Sequence, residues 1–198
     1  WYSNSKQIAH FPKNGWWHYL DWVSLMNYDN DLGSKHSTYE SVFGKNGWWH
    51  YLDWVSLMNY DNDLGSKHST YGSVFGESGS VAHWMEFGIP KSKIVTGIPF
   101  YARAGWGEAW LFYKDIRKLE TELSDTTDFI LYNKNKSGLK EYGFNNKATV
   151  AKKVSEGKKM NLPGIMFWQL AGDLPVDSEN SLLRVISTEL GYKKDGSR

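Results

Sequence analysis

Residues 52–61 read LDWVSLMNYD, and residues 20–29 carry the same ten letters. The segment is short, apolar and aromatic, and it ends in Tyr-Asp. A run of this length bounded by polar and turn residues reads as a buried strand, predicted over residues 52–60 with a twin at 20–28. Two further runs have the same character, IVTGIPFYAR at 94–103 and GIMFWQL at 164–170. Helical stretches lie between and after them. Residues 81–87 stop at Gly88, a C-terminal cap signal, with Pro90 just beyond. Residues 114–123 put Ile116, Leu119 and Leu123 at helical spacing, and 149–160 carry Val150 and Val154 ahead of Pro163. Residues 178–190 open on a capping serine and place Leu182, Leu183, Ile186 and Leu190 on one side. Strands alternating with helices imply parallel pairing and an α/β class. Residues 124–142, with polar turns around FILY, read as a small irregular insertion.

The copying extends well beyond ten letters. Residues 13–44 recur as residues 45–76 with one difference, Glu40 against Gly72. Solenoid repeats have similar periods, but each unit must stack on neighbours, and roughly three or more units are needed. Two units followed by unrelated sequence do not fit. Old repeats also drift at surface positions, so the pair reads as a recent tandem duplication, an assembly artefact or an engineered insertion within a single domain spanning residues 1–198.

Composition removes several functions. The formal net charge is +1 with Lys and Arg scattered, so no basic stripe argues for nucleic acid or a membrane surface. Cysteine is absent, which excludes disulfides and thiolate metal sites. No run approaches the roughly 18 apolar residues of a membrane span, and the opening WYSNSKQIAH lacks the pattern of a signal peptide. Eleven Trp and twelve Tyr exceed the needs of a core this size. Flat apolar faces with a polar edge suit stacking on sugar rings, although any single aromatic is better explained by packing.

Counting by twos shows which side chains share a strand face. Trp54, Ser56, Met58 and Tyr60 point one way, and Val55, Leu57 and Asn59 the other. Pro99, Tyr101 and Arg103 share a face, as do Met166, Trp168 and Leu170. Each strand therefore carries Tyr, Arg or Trp toward its C-terminal end, where ligands bind in parallel α/β proteins.

With these residues in place, MNYD (58–61), GIPFYARAG (97–105) and GIMFWQLAGD (164–173) resemble, in order, the sixth, seventh and eighth strands of family 18 glycoside hydrolases, the chitinases. The resemblance runs from about residue 48 to 190. It implies a partial (β/α)8 TIM barrel made of C-terminal strands, with no cofactor and no metal. It further implies that Tyr60 hydrogen-bonds the N-acetyl carbonyl of the substrate and that Asp61 contacts the same sugar, with Tyr28 and Asp29 as the first-copy equivalents. Met58, or Met26, would line the pocket floor. Tyr101 and Arg103 would border the sugar subsites, and Trp168 would stack on the sugar at the cleaved bond. The partner is then chitin or an N-acetylglucosamine oligomer, and family membership implies a secreted location.

Family chemistry is substrate-assisted retention, in which the acetamido oxygen attacks the anomeric carbon while a glutamic acid protonates the leaving oxygen. That acid belongs to a D-x-x-D-x-D-x-E motif, and this sequence contains no such motif. Glu86, Glu108 and Glu141 lack the pattern. The DND segments at 29–31 and 61–63 fail the later positions of a calcium loop, and His18, His36, His50 and His68 show no zinc spacing. GWGEAW and NNKATV resemble no phosphate cradle and read as solvated loops.

Three readings stay open: a chitinase fragment or variant, a non-catalytic chitin-binding relative, and a duplicated chain without activity. Four strands make about half a barrel, whose open edges would be closed by a second half barrel in a homodimer. The alternative is that one copy is displaced from the sheet. The second copy is expected at the family positions, because it runs directly into the connection a right-handed strand-helix-strand unit needs.

Overall fold

A computed structural model describes residues 22–25, 48–61, 64–105, 109–133 and 138–192. Along the described residues the chain forms β1 (Trp22–Leu25), β2 (Trp54–Leu57), α1 (Tyr71–Phe75), α2 (Ser80–Glu86), β3 (Ile94–Pro99), β4 (Tyr101–Ala102), β5 (Leu111–Phe112), α3 (Tyr113–Leu119), β6 (Phe129–Tyr132), β7 (Lys140–Gly143), α4 (Lys147–Lys159), β8 (Gly164–Trp168) and α5 (Leu182–Leu190). The three apolar runs and the first-copy twin meet in one four-stranded sheet of order β1-β2-β3-β8, every neighbouring pair parallel. This is an α/β fold with the parallel sheet of part of a TIM barrel.

Register explains the apolar alternation. Val55 lies opposite Ile94, and Leu57 opposite Thr96, which in turn lies opposite Ile165. Val55, Leu57 and Ile94 are wholly buried and pack with Trp49, Trp84 and Ile89. Ile98 joins a second cluster with Val150 and Val154 of α4 and Leu182 and Ile186 of α5. Burying each such aliphatic side chain contributes about 1.5–3 kcal/mol, so this face anchors the sheet to its helices. The opposite face carries Ser56 against Val95, Gly97 against Met166 and Pro99 against Trp168.

The two copies do not compete for one slot. Trp22, Val23, Ser24 and Leu25 pair with Trp54, Val55, Ser56 and Leu57, so each residue of β1 lies opposite its own duplicate. The second copy takes the interior position beside β3, and the first lies at the edge of this sheet.

Boundaries differ from the predicted ones for identifiable reasons. The strand predicted over 52–60 keeps only Trp54–Leu57 in the ladder. The run 94–103 ends its parallel pairing at Pro99, after which the Phe100 N–H donates to the Trp168 carbonyl (2.7 Å) and the Phe100 carbonyl accepts from Tyr113 N–H (3.1 Å). The chain then turns into an antiparallel pair with Leu111–Phe112, and Arg103 bridges Gly143. The insertion contains an antiparallel hairpin, β6 with β7.

The helix expected over 178–190 starts at Leu182 because Ser181 caps it, its hydroxyl accepting from Arg184 N–H at 3.2 Å. Asp173, the last residue of GIMFWQLAGD, adds acceptors for the N–H groups of Leu182 (2.9 Å) and Leu183 (2.8 Å). A carboxylate at a helix start satisfies orphan donors and complements the dipole. NNKATV is not the solvated loop expected from its letters, since Asn145 and Asn146 are 1% and 0% exposed. The Asn146 side chain caps α4 through Lys147 N–H (2.9 Å), accepts from the Tyr113 hydroxyl (2.9 Å) and donates to Ser124 and Thr127 carbonyls. Asparagine caps helices because its short amide reaches backbone groups.

Candidate functional site

The site is built where β2, β3 and β8 end. Past Leu57 the chain is held by Asn59, whose Oδ1 accepts from Gly97 N–H (2.9 Å) and whose Nδ2 donates to the Ser80 hydroxyl at the start of α2. Its carbonyl accepts from the Ser69 hydroxyl at 2.6 Å. With Asn59 fixed on the helix side, Tyr60 turns to the opposite face, and Asp61 adopts a left-handed backbone at φ 66. Aspartate tolerates that region better than most residues.

Tyr60 lies over Gly97. A Cβ at Gly97 would come within 2.9 Å of the Tyr60 ring and 2.6 Å of the Leu57 carbonyl, so only glycine leaves room for the tyrosine. The Tyr60 hydroxyl donates to Met166 Sδ at 3.7 Å. Its ring meets Tyr101 edge-on, with centroids 6.0 Å apart at 77°. Tyr101 in turn donates to Asp61 Oδ2 at 2.9 Å. The other carboxylate oxygen, Oδ1, has Arg103 Nε at 3.6 Å and His68 Nδ1 at 3.7 Å, and it accepts no hydrogen bond among the described residues.

Burial raises the pKa of Asp61, while the Tyr101 hydrogen bond and then the Arg103 charge pull it back. The Tyr101 hydroxyl is pushed far above its usual range, first by burial and then by the charge of Asp61. Tyr101 therefore remains a protonated donor at any ordinary pH. The arrangement holds a half-buried carboxylate with one oxygen engaged by Tyr101 and the other buried beside the Arg103 guanidinium and the His68 imidazole. Aromatic surface surrounds it: Trp110 meets Tyr101 edge-on at 5.0 Å, and Trp168, at the end of β8, is 51% exposed.

Tyr60, Tyr101, Asp61 and Arg103 are thus linked in a series of pairwise contacts, Met58 is half-buried just after β2, and Trp168 ends β8. Met26, Tyr28 and Asp29 lie outside the described residues, as does Glu108. Glu86 is exposed on α2, and Glu141 accepts from Ser66 N–H at 2.8 Å, tying β7 to the loop after β2. Among the described residues no three His, Asp or Glu gather as a metal cluster.

Sequence reasoning missed His68, set aside with the other histidines. It is 1% exposed, and its ring packs 5.5 Å from that of Tyr101. It missed Trp110 and Asn59 as well. Asn59 carried a signal, since a polar residue on the apolar face of a predicted strand has to find partners there. His68 and Trp110 carried none, because each reaches the site on a loop.

The family model described as glycosyl hydrolases family 18 matches residues 4–173. No curated protein matches the sequence. Among solved structures, the GH18 chitinase ChiB from Flavobacterium johnsoniae is 27% identical, with a TM-score of 0.54 over 71% of this chain and 43% of that one. A class V chitinase from Nicotiana tobaccum is 25% identical, TM-score 0.57, over 86% of this chain and 55% of the other. A chitinase-like agglutinin from Robinia pseudoacacia, 23% identical with TM-score 0.54 over 78% of this chain and 52% of its own, shares the fold. The chain spans about half the length of these structures.

Proposed function

The chain belongs to glycosyl hydrolase family 18, and from that premise we propose that it is a chitinase-related protein whose site binds β-1,4-linked N-acetylglucosamine oligomers. The observation that carries this reading is the convergence, at the C-terminal ends of three parallel strands, of Tyr60 and Asp61, Tyr101 and Arg103, and Met166 and Trp168.

Each group has a task. Tyr60 spends its hydroxyl on a thioether, a weak acceptor, so an acetamido carbonyl is a better partner and displaces it. A donor fixed on that carbonyl holds the internal nucleophile near attack geometry. Asp61, its carboxylate held in place by Tyr101 and Arg103, contacts the same sugar. Trp168 offers a ring face for stacking, worth about 1 kcal/mol beyond burial. Met58 closes the floor. The first-copy residues Met26, Tyr28 and Asp29 repeat the same chemistry in sequence, and the second copy is the working one.

Hydrolysis belongs, in this reading, to a complete family enzyme that carries the acidic motif, and this chain alone binds without efficient cleavage. Closure of the half barrel by a second copy is a separate proposal resting on the strand count; a monomeric mass by light scattering would remove it. The test of binding is a calorimetric titration with chitotetraose and with cellotetraose, which lacks the acetamido group. Saturable binding to the first, with at least about tenfold preference over the second, is expected from a site that pairs with the acetamido group. Equal affinity for the two, or none for either, would refute the reading.

A further inference from the structure

Behind the site lies a buried polar network to which the carbohydrate reading gives no part. Lys153, in the middle of α4, is 1% exposed, and its ammonium donates to the Ser69 carbonyl, to Ser69 Oγ at 2.9 Å and to Asn145 Oδ1 at 2.7 Å. Three acceptors match the three N–H bonds of an ammonium. Burial pulls the Lys153 pKa down to about 7, opposed by the charge of Asp128. An apolar side chain of similar volume would fill the same space without desolvating a charge. What the ammonium adds is fixed geometry.

That geometry is needed at Ser69. Its backbone stands in the left-handed region at φ 50, and it is buried in a loop whose polar groups are cut off from water. Such a conformation persists only where its surroundings over-determine it, and here Lys153 and Asn145 Nδ2, at 2.9 Å, both hold the Ser69 carbonyl. The Ser69 hydroxyl then donates to the Asn59 carbonyl. Asn59 directly precedes Tyr60 and Asp61, and His68 directly precedes Ser69. One ammonium therefore anchors both the segment presenting the carboxylate and the loop presenting the histidine.

We propose that Lys153 is a positioning residue for the sugar site, holding Ser69 so that His68 and the Asn59–Asp61 turn keep their binding geometry. The proposal rests on the carbohydrate reading above, and its test separates the two. The chain has no cysteine, so Lys153→Cys introduces a unique thiol. Alkylated in the unfolded state with 2-bromoethylamine it regains an ammonium at lysine length; alkylated with 1-bromopropane it regains the length alone.

After refolding, chitotetraose affinity is measured by calorimetry and the His68 imidazole by nitrogen NMR. The unmodified and propyl forms are expected to bind about tenfold more weakly, the loss of a charge-assisted hydrogen-bond set, with the His68 resonance displaced. The aminoethyl form returns both to wild-type values. A propyl form that binds like wild type with His68 unmoved overturns the proposal, since packing would then suffice. If wild type itself does not bind, the carbohydrate reading falls, and the His68 resonance alone decides the role of Lys153. Should the cysteine forms not refold, Ser69→Ala keeps Lys153 and removes the link to Asn59. An affinity loss of about tenfold with a displaced His68 signal is expected from losing two hydrogen bonds, the one to the Asn59 carbonyl and the one from the Lys153 ammonium, and no change in either overturns the proposal.

Discussion

Replacing Tyr101 with Phe removes one atom, the hydroxyl that donates to Asp61 Oδ2 at 2.9 Å, and leaves a ring that is 3% exposed packed as before. The loss depends on the charge of Asp61. A hydrogen bond to a neutral carboxyl contributes about 1 kcal/mol, and one to a carboxylate about 2 kcal/mol. The Asp61 side chain is 19% exposed, so solvent replaces little of what is lost. Asp61 is a group whose folded pKa is raised, mainly by burial. Folding then favours its protonated form, and the stability it contributes is present below the unfolded value and lost as pH rises through the folded one. The Tyr101 hydrogen bond limits that loss, because it favours the ionised form. In Tyr101→Phe the Asp61 carboxyl titrates higher and the loss is larger. Urea denaturation at a series of pH values should show the variant destabilised by about 1 kcal/mol in acid and about 2 kcal/mol at neutral pH, the two contributions above. A difference that does not change with pH would refute the coupling of Tyr101 to Asp61.

Three shorter predictions follow from single contacts. Gly97→Ala places a methyl 2.6 Å from the Leu57 carbonyl and 2.9 Å from the Tyr60 ring; thermal unfolding should show a loss of about 1–3 kcal/mol, the usual cost of overpacking, with oligomer affinity reduced as well. Asp173→Ala strips acceptors from Leu182 and Leu183 N–H and the Ser181 hydroxyl, and should cost about 1–2 kcal/mol of stability while leaving sugar affinity unchanged. Trp168→Ala, at an exposed side chain, should leave unfolding midpoints within experimental scatter and weaken chitotetraose binding about fivefold or more, as loss of a stacking platform implies; undiminished affinity by calorimetry would remove Trp168 from the site.

How much of this was legible in the letters depends on the range of the interaction. Val55, Leu57, Ile94 and Ile98 announced buried strands by local pattern alone, and the counting by twos that set Met166 and Trp168 apart from Ile165 and Phe167 agrees with the register of β3 and β8. Tyr60, Asp61, Tyr101 and Arg103 could be assembled because each sits at or just past a strand end, where direction is fixed by the strand. Where the chain leaves a strand, the pattern ends. The predicted strand 94–103 did not show its break at Pro99, because the partner that redirects Phe100, the Trp168 carbonyl, is distant in sequence. Asn145 and Asn146 looked like loop residues and proved buried, since their amides satisfy backbone groups of other segments. His68 was hidden for the same reason, and the fate of the first copy was settled by pairing with its own duplicate.

On the proposed function, the second copy, entering the sheet beside β3, builds the sugar site at Tyr60 and Asp61. Chitotetraose affinities of Tyr60→Phe and Tyr28→Phe, measured side by side by calorimetry, test it most directly. About a tenfold loss is expected for Tyr60→Phe, the value of one hydrogen bond to the acetamido carbonyl, and wild-type affinity for Tyr28→Phe. Equal losses, or a larger loss at Tyr28, would contradict it.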